Sequence, residues 1–261
     1  MSSMFGIELP FYTYGILMGV AFLFGVWFCK YNSKVSELPT PPFIDLILVL
    51  SICGVVGARI NYILLFPQYY HSLRDCLALH EGGLVFYGGM VLAILGLFIY
   101  CKIKKYSFGV VADYMVPSLA IGHAMGRVGC LINDCCYGAV TNSIRIYHLK
   151  NEPMDCFRHP TQLYEIVYLI TLAMIFTWLL KKDSKRPRKN GSLTAWYCVS
   201  YATLRFLNEY LRADDRGGFF TSLRLSPAQI TSIIMAFCGI LWLYVNRNKS
   251  NQPADCGDKT K

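Results

Sequence analysis

The sequence predicts an all-α integral membrane protein of seven transmembrane helices, and three observations carry that expectation. Of 261 residues, 54% are hydrophobic and only 16% charged, with a mean hydropathy of +0.39, which leaves no room for a wide water-soluble domain. Seven apolar segments follow one another, at about 11–29, 43–66, 84–101, 108–130, 161–180, 193–211 and 226–245. Each is near the roughly 17–25 residues that a helix needs to cross the hydrocarbon core. Basic residues are unevenly shared between the connections. Fifteen of the 25 Lys and Arg fall in 30–34, 102–106, 181–192 and after 245, against seven in the connections of the opposite side. Inside loops are the basic ones, so the N-terminus is expected outside and the C-terminus in the cytoplasm. The formal net charge of +9 is mostly this bias, and no nucleic-acid partner is expected from it.

In chain order, the first span follows Met1–Pro10, a start without basic residues, and carries Tyr14; its apolar run is long enough to remain, so no cleavable signal peptide is expected. The second contains Gly57-Ala58-Arg59-Ile60-Asn61-Tyr62 near its outer end. The third is entered through His80-Glu81-Gly82-Gly83-Leu84-Val85-Phe86-Tyr87-Gly88-Gly89, whose two glycine pairs either pack helices tightly or admit a ligand. The fourth closes on Gly126-Arg127-Val128-Gly129-Cys130, with Asn133, Asp134, Cys135, Cys136 and Gly138 following, and the glycines open space beside the guanidinium. The fifth opens on His159-Pro160-Thr161-Gln162-Leu163-Tyr164-Glu165. Pro160 suits a helix start, but this entrance is more polar than a cap requires. In the sixth, Tyr201, Arg205 and Glu209 recur every four residues and share one helix face. There Arg205 and Glu209 either neutralise each other or also bind phosphate. The seventh leads into a polar stretch, giving one seven-helix domain over 1–245 and a cytoplasmic tail over 246–261.

Arg59, Arg127 and Arg205 each lie within or at the rim of an apolar span. An intramembrane charge costs about 2.5 kcal/mol or more, so it is normally kept for function. Arginine's planar fork matches a phosphate at two points, and a phospholipid head group is the natural ligand. Six of the eleven cysteines (Cys29, Cys53, Cys101, Cys198, Cys238 and Cys256) read as small buried hydrophobes. Cys76, Cys130, Cys135, Cys136 and Cys156 fall on or near the outer side, where a disulfide of Cys135 or Cys136 with Cys156 is open in an oxidising compartment. Three cysteines near His123 raise a metal reading, but Cys135 and Cys136 are adjacent rather than separated as in zinc sites, so no metal is assigned.

These blocks, taken together and in order from Tyr14-Gly15 to Ser226-Pro227-Ala228-Gln229, resemble the bacterial prolipoprotein diacylglyceryl transferases. The resemblance implies a multi-pass enzyme of the bacterial plasma (inner) membrane, with a central cavity open to lipid. It would move the diacylglyceryl group of phosphatidylglycerol to the thiol of a lipobox cysteine in a prolipoprotein, release glycerol phosphate and need no cofactor. Gly126-Arg127-Val128-Gly129 matches the family's central signature, with Asn133 and Gly138 at its later positions. Tyr201, Arg205 and Glu209 match the penultimate helix, Tyr14 the first-span tyrosine and Arg59 the second-span arginine. His159, Gln162, Tyr164 and Glu165 match the His-Pro-x-Gln-Leu-Tyr-Glu block. Arg127, Arg205, Glu209, Tyr201 and Tyr87 are thus the expected catalytic residues. Arg59, Tyr14, Asn133, Gly138, His159, Gln162, Tyr164 and Glu165 are the expected substrate-binding ones.

Two departures stand out. Tyr87 occupies the place of a family histidine, and Cys130 and Cys135 replace an asparagine and a glutamate of the signature. A phenol is a poor base at neutral pH, which leaves His80, His123 and Glu209 as alternatives, or an arginine field that lowers the thiol's own pKa. The same departures suit a different acceptor, such as a sugar, an alcohol or a small thiol. A lipid-binding or transport protein would use the same phosphate arginines without turnover.

Overall fold

The computed structural model describes residues 13–36, 42–69, 76, 83, 85–143, 146–149, 153, 156–182, 191–213 and 225–249. Through them run seven helices of 18 residues or more: α1 Thr13–Ser36, α2 Phe43–Leu65, α3 Phe86–Ile103, α4 Phe108–Ile132, α5 Thr161–Lys182, α6 Ser192–Glu209 and α7 Pro227–Lys249. Among the described residues the only β pairing is two isolated antiparallel bridges, Gly138 with Arg212 and Val140 with Arg158. Each of the seven predicted segments contains one of these helices. Among the described residues, four stretches are long and apolar enough to cross a membrane: Ile44–Leu65, Phe108–Ile132, Thr161–Lys182 and Pro227–Asn246; α3 adds a shorter apolar run, Tyr87–Ile103.

Large apolar side chains point outward, with Leu64 73% and Ile44 70% exposed, while Glu165 and Gln162 are 0% and 1% exposed. Water would drive the opposite sorting. In lipid, whose tails are as apolar as leucine, helix seams select small and polar residues instead. The chain is an all-helical membrane protein on this evidence.

Two boundaries differ from expectation. The predicted inner connection 30–34 is the end of α1, which continues to Ser36. Lys30-Tyr31-Asn32-Ser33-Lys34 holds no Gly or Pro to stop it, Lys34 suits a helix C-terminus, and the fully buried Asn32 donates to Ser118 Oγ of α4 at 3.3 Å. At the other end α7 runs to Lys249, so the first residues of the expected tail are helical, and 250–261 lie outside the described residues.

The helices fall into two units, Leu38–Val111 and Met1–Glu37 with Ala112–Lys261. In the first, α2 lies against α3 through glycines. A side chain at Gly88 would meet Asn61 and the Gly57 carbonyl, and a Cβ at Gly89 would stand 2.7 Å from the Gly54 carbonyl oxygen. Of the two readings open for the glycine pairs, Gly88-Gly89 takes the packing one. Tyr100 Oη donates to Asp45 Oδ2 at 3.0 Å between the same helices.

In the second unit, α6 packs along α7 with Gly239 against the Ala195 carbonyl, where an added Cβ would come within 2.9 Å. The start of α6 is capped from α4: the Thr194 amide and hydroxyl both donate to Asp113 Oδ1 at 2.8 Å. A buried carboxylate thereby satisfies an amide of the first helical turn, which fixes α6 against α4.

Replacing Gly89 by leucine should loosen the first unit. Overpacking of a tight seam costs about 1–3 kcal/mol, and thermal unfolding in detergent should show a lowered midpoint relative to the native chain.

Candidate active site: a buried arginine–glutamate network

The centre of the second unit is Glu165, one turn into α5 and fully buried. One oxygen, Oε2, is ion-paired with Arg127 Nε from α4. The other, Oε1, takes Arg205 Nη1 of α6 at 3.4 Å and a hydrogen bond from Asn208 Nδ2 at 3.1 Å. Arg205 Nη1 also meets Glu209 Oε2 at 2.6 Å, and Arg212 Nε lies 3.9 Å from the same oxygen. Among the described residues, three guanidinium groups thus meet two carboxylates.

Local structure places each group. The four-residue spacing on α6 brings Tyr201, Arg205 and Glu209 to one face, as expected, and extends it back to Tyr197, whose ring stacks on Tyr201 at 5.8 Å. Tyr201 is hydrogen-bonded with Arg127, and the His123 ring lies 5.1 Å from its own. The neutralising reading of Arg205 and Glu209 is therefore present in the structure. It is accompanied by the Arg127–Glu165 pair, which the sequence did not suggest.

Other expected site residues build the frame of the network. Gln162 Nε2 donates to the Cys135 carbonyl at 2.6 Å and to Tyr147 Oη at 3.4 Å, and Thr161 Oγ1 donates to the Cys136 carbonyl at 2.7 Å. The start of α5 thereby clamps the strap that leaves α4. Asn133 Nδ2 donates back to the Gly129 carbonyl at 3.0 Å, closing the end of α4. His159 Nδ1 is 3.2 Å from Tyr164 Oη. Gly138 sits where three backbones cross: its amide donates to the His159 carbonyl at 3.0 Å, and its neighbour Ala139 donates to the Leu211 carbonyl at 2.8 Å. A Cβ there would stand 2.6 Å from both Cβ and O of His159.

Arg59 and Tyr87 belong to the other unit. Arg59 is buried and donates through Nε to the Cys76 carbonyl at 2.9 Å and through Nη1 to the Gly83 carbonyl at 3.2 Å. Tyr87 is 48% exposed in the first turn of α3. Tyr14 is in the first turn of α1, but its side chain lies outside the described residues, as does His80.

Sequence reasoning passed over Asn208, Arg212 and Tyr147. Asn208 lies three residues beyond Arg205 and also donates to the Thr161 carbonyl at 3.2 Å, so the helical spacing could have found it. Tyr147 carried no such signal; its hydroxyl donates to Asp134 Oδ1 at 3.1 Å from a loop. Burial, with the Asp134 carboxylate beside it, pushes the Tyr147 phenol well above its ordinary range. The ten described cysteines form no disulfide, and the sulfurs of Cys130, Cys135 and Cys136 lie within 4.8 Å of one another. Hydrogen bonds with Cys130, Cys135 and Arg212 hold the Cys136 thiol below the usual thiol range, while those with Cys130 and Cys136 raise Cys135.

A helical membrane protein with a buried guanidinium–carboxylate network, contributed by helices α4, α5 and α6 and the turn after α6, is the class that this fold and site define. More narrowly, the chain belongs to the prolipoprotein diacylglyceryl transferase family, whose model matches residues 2–245. It is 31% identical over 245 residues to the phosphatidylglycerol–prolipoprotein diacylglyceryl transferase of Finegoldia magna, covering 92% of each chain. To the protein of the same name from Pasteurella multocida it is 34% identical over 241 residues, 89% of this chain and 86% of that one. To that of Clostridium tetani it is 27% identical over 247 residues, 94% and 96% of the two.

Two outcomes check this geometry. Glu165→Ala leaves two guanidinium groups without their shared carboxylate, and removing one partner of a buried pair costs about 3–5 kcal/mol; denaturant unfolding should show that loss, and Glu165→Gln a smaller one. Gly138→Ala should cost about 1–3 kcal/mol by forcing the strap from His159, read in the same experiment.

Proposed function

We propose that this chain transfers the diacylglyceryl group of phosphatidylglycerol to the thiol of a lipobox cysteine in prolipoproteins. The observation that carries the reading is the pair of buried arginines, Arg127 and Arg205, both fixed on the one carboxylate of Glu165. A phosphodiester is an anion that such guanidinium forks match at two points. Family membership supplies the reaction in which such cations are useful.

In that reaction the thiolate sulfur attacks the glyceryl carbon next to the phosphate, a C–S bond forms and the C–O bond to phosphate breaks. The products are the thioether and glycerol phosphate; the thiol proton passes to a base or to water. Negative charge grows on the leaving phosphate, so cations fixed in place beforehand lower the barrier without rearranging. Arg127 and Arg205 are proposed for that task, oriented by Glu165 and Glu209, with Tyr201 hydrogen-bonding Arg127. Tyr87 is proposed on the acceptor side. Tyr14, Arg59, Asn133, Gly138, His159, Gln162, Tyr164 and Glu165 are proposed to shape and hold the lipid-binding region. All seven helices would span the bacterial plasma membrane, the N-terminus outside and the C-terminus cytoplasmic, around a cavity open to lipid. The basic connections support that orientation.

Labelled phosphatidylglycerol and a lipobox peptide in liposomes test this directly. Arg127→Lys keeps the charge but loses the fork, and a fall in kcat of about 10²–10³-fold is expected, the scale seen when one preorganised donor is removed. Glycerol phosphate released without peptide labelling would move the reading to another acceptor, and lipid bound without any product would end the catalytic one. Tyr87→Phe isolates the phenol: a fall of about 10²-fold or more would give it the thiol proton, and unchanged turnover would leave that proton to the arginine field.

A further inference from the structure

The turn that follows α4 carries a cluster that the transferase chemistry does not use. Cys130 lies in the last turn of α4, three residues beyond Arg127, and Cys135 and Cys136 follow on the strap. Adjacent cysteines in a regular element point apart. Here the backbone turns back on itself: Asp134 has φ 48° and Cys136 φ 65°, left-handed values that aspartate tolerates but that are uncommon for cysteine. Contacts that hold this turn are in place. Gln162 and Thr161 grip the carbonyls of Cys135 and Cys136 at 2.6 and 2.7 Å, Tyr147 holds Asp134, and Cys135 Sγ rests 3.5 Å from the Cys130 carbonyl. The three sulfurs end within 4.8 Å of one another.

We propose that Cys130, Cys135 and Cys136 form a three-sulfur binding site for a thiophilic divalent metal cation of the zinc type. Adjacency along the chain argued against such a site, but that objection holds for a regular backbone and not for this reversed one. Three soft sulfur donors select cations of the zinc and cadmium kind over magnesium or calcium. With zinc–sulfur bonds of about 2.3 Å, tetrahedral ligand sulfurs stand roughly 3.8 Å apart. The present spacing therefore closes onto an ion with shifts of about an ångström. A disulfide would use two of the three sulfurs and strand the third, whereas a cation uses all of them. Charge is met locally: three thiolates on a divalent ion leave one negative charge in excess, and the Arg212 guanidinium hydrogen-bonds Cys136. Such outer-shell donors orient metal ligands and tune affinity. Binding makes three sulfur–metal bonds, and each sulfur still protonated gives its proton to solvent, with no change of oxidation state. A fourth position stays open for water.

The test is a Co(II) titration of the reduced, full-length protein in nanodiscs, followed by Cd(II) displacement. Thiolate-to-cobalt charge-transfer absorption saturating at one ion per chain is expected. It should disappear in the triple variant Cys130→Ser, Cys135→Ser, Cys136→Ser and persist in Cys238→Ser. Arg212→Gln should weaken Co(II) binding by about 10- to 100-fold, the usual cost of losing an outer-shell partner. X-ray absorption of the native chain loaded with Zn(II) gives an answer independent of any variant, with three sulfur scatterers expected. Scatterers of nitrogen and oxygen alone, absorption that survives the triple variant, or a disulfide among the three thiols in anaerobically purified protein would each overturn the proposal.

Discussion

Everything in the candidate site depends on one fully buried carboxylate, Glu165, and on the partners that surround it. A lone buried carboxylate would be intolerable, and so would the two arginines beside it. Each group is permissible only because the others are there. Arg127 takes one oxygen, and Arg205 and Asn208 share the other. This mutual requirement ties α4, α5 and α6 together more specifically than apolar contact could, since Leu-on-Leu packing has little preference over Leu-on-lipid within a membrane. The same requirement fixes the guanidinium planes, so order in the fold and order in the site have a single cause.

Much of the fold was legible because its signals are local. Segment length, apolar content and basic flanks need no knowledge of partners, and all seven helices lie where those signals put them. The misjudged boundary after Cys29 came from treating Lys30 and Lys34 as loop residues. Lysines at a helix end bury their stems and keep the charge outward, so a helix need not stop for them. The site was legible in part for a similar reason. Tyr201, Arg205 and Glu209 share a helix period, and their common face can be read from the spacing alone. The partner of Arg127 lies 38 positions away on another helix, and no period connects Arg127 to Glu165. Tyr147 and the three-cysteine cluster were hidden by irregular backbone, whose path is set by contacts rather than by propensity.

Several residues within the family-matching blocks turn out to act on the backbone. Gln162 and Thr161 hold carbonyls of the strap, Asn133 closes α4, Gly138 makes room for a crossing, and Arg59 gathers two carbonyls in its own unit. A motif rich in polar residues near a membrane surface is easily read as a set of ligand contacts. Within an apolar surround, however, every unpaired carbonyl of an irregular segment needs a donor. Polar side chains that stabilise the strap are thus a precondition for having a non-helical segment beside the arginines at all.

The ion pairs bear on how a phosphate would be bound. Arginines already paired with carboxylates are not spare charge, yet the pairing does not exhaust them. A guanidinium has five N–H donors, more than one carboxylate and one phenol can engage, and Arg127 meets Glu165 through Nε and also hydrogen-bonds Tyr201. Arg205 is drawn to two carboxylates through Nη1. The carboxylates therefore offset much of the cost of burying these cations within the fold itself. A lysine could not divide its functions in this way, because its compact ammonium has no second edge to present. The arrangement favours an anion whose charge rises during reaction, since fixed cations gain most from the state with the greatest negative charge. A departing phosphate is such an anion, whereas a lipid that is only carried keeps the same charge throughout.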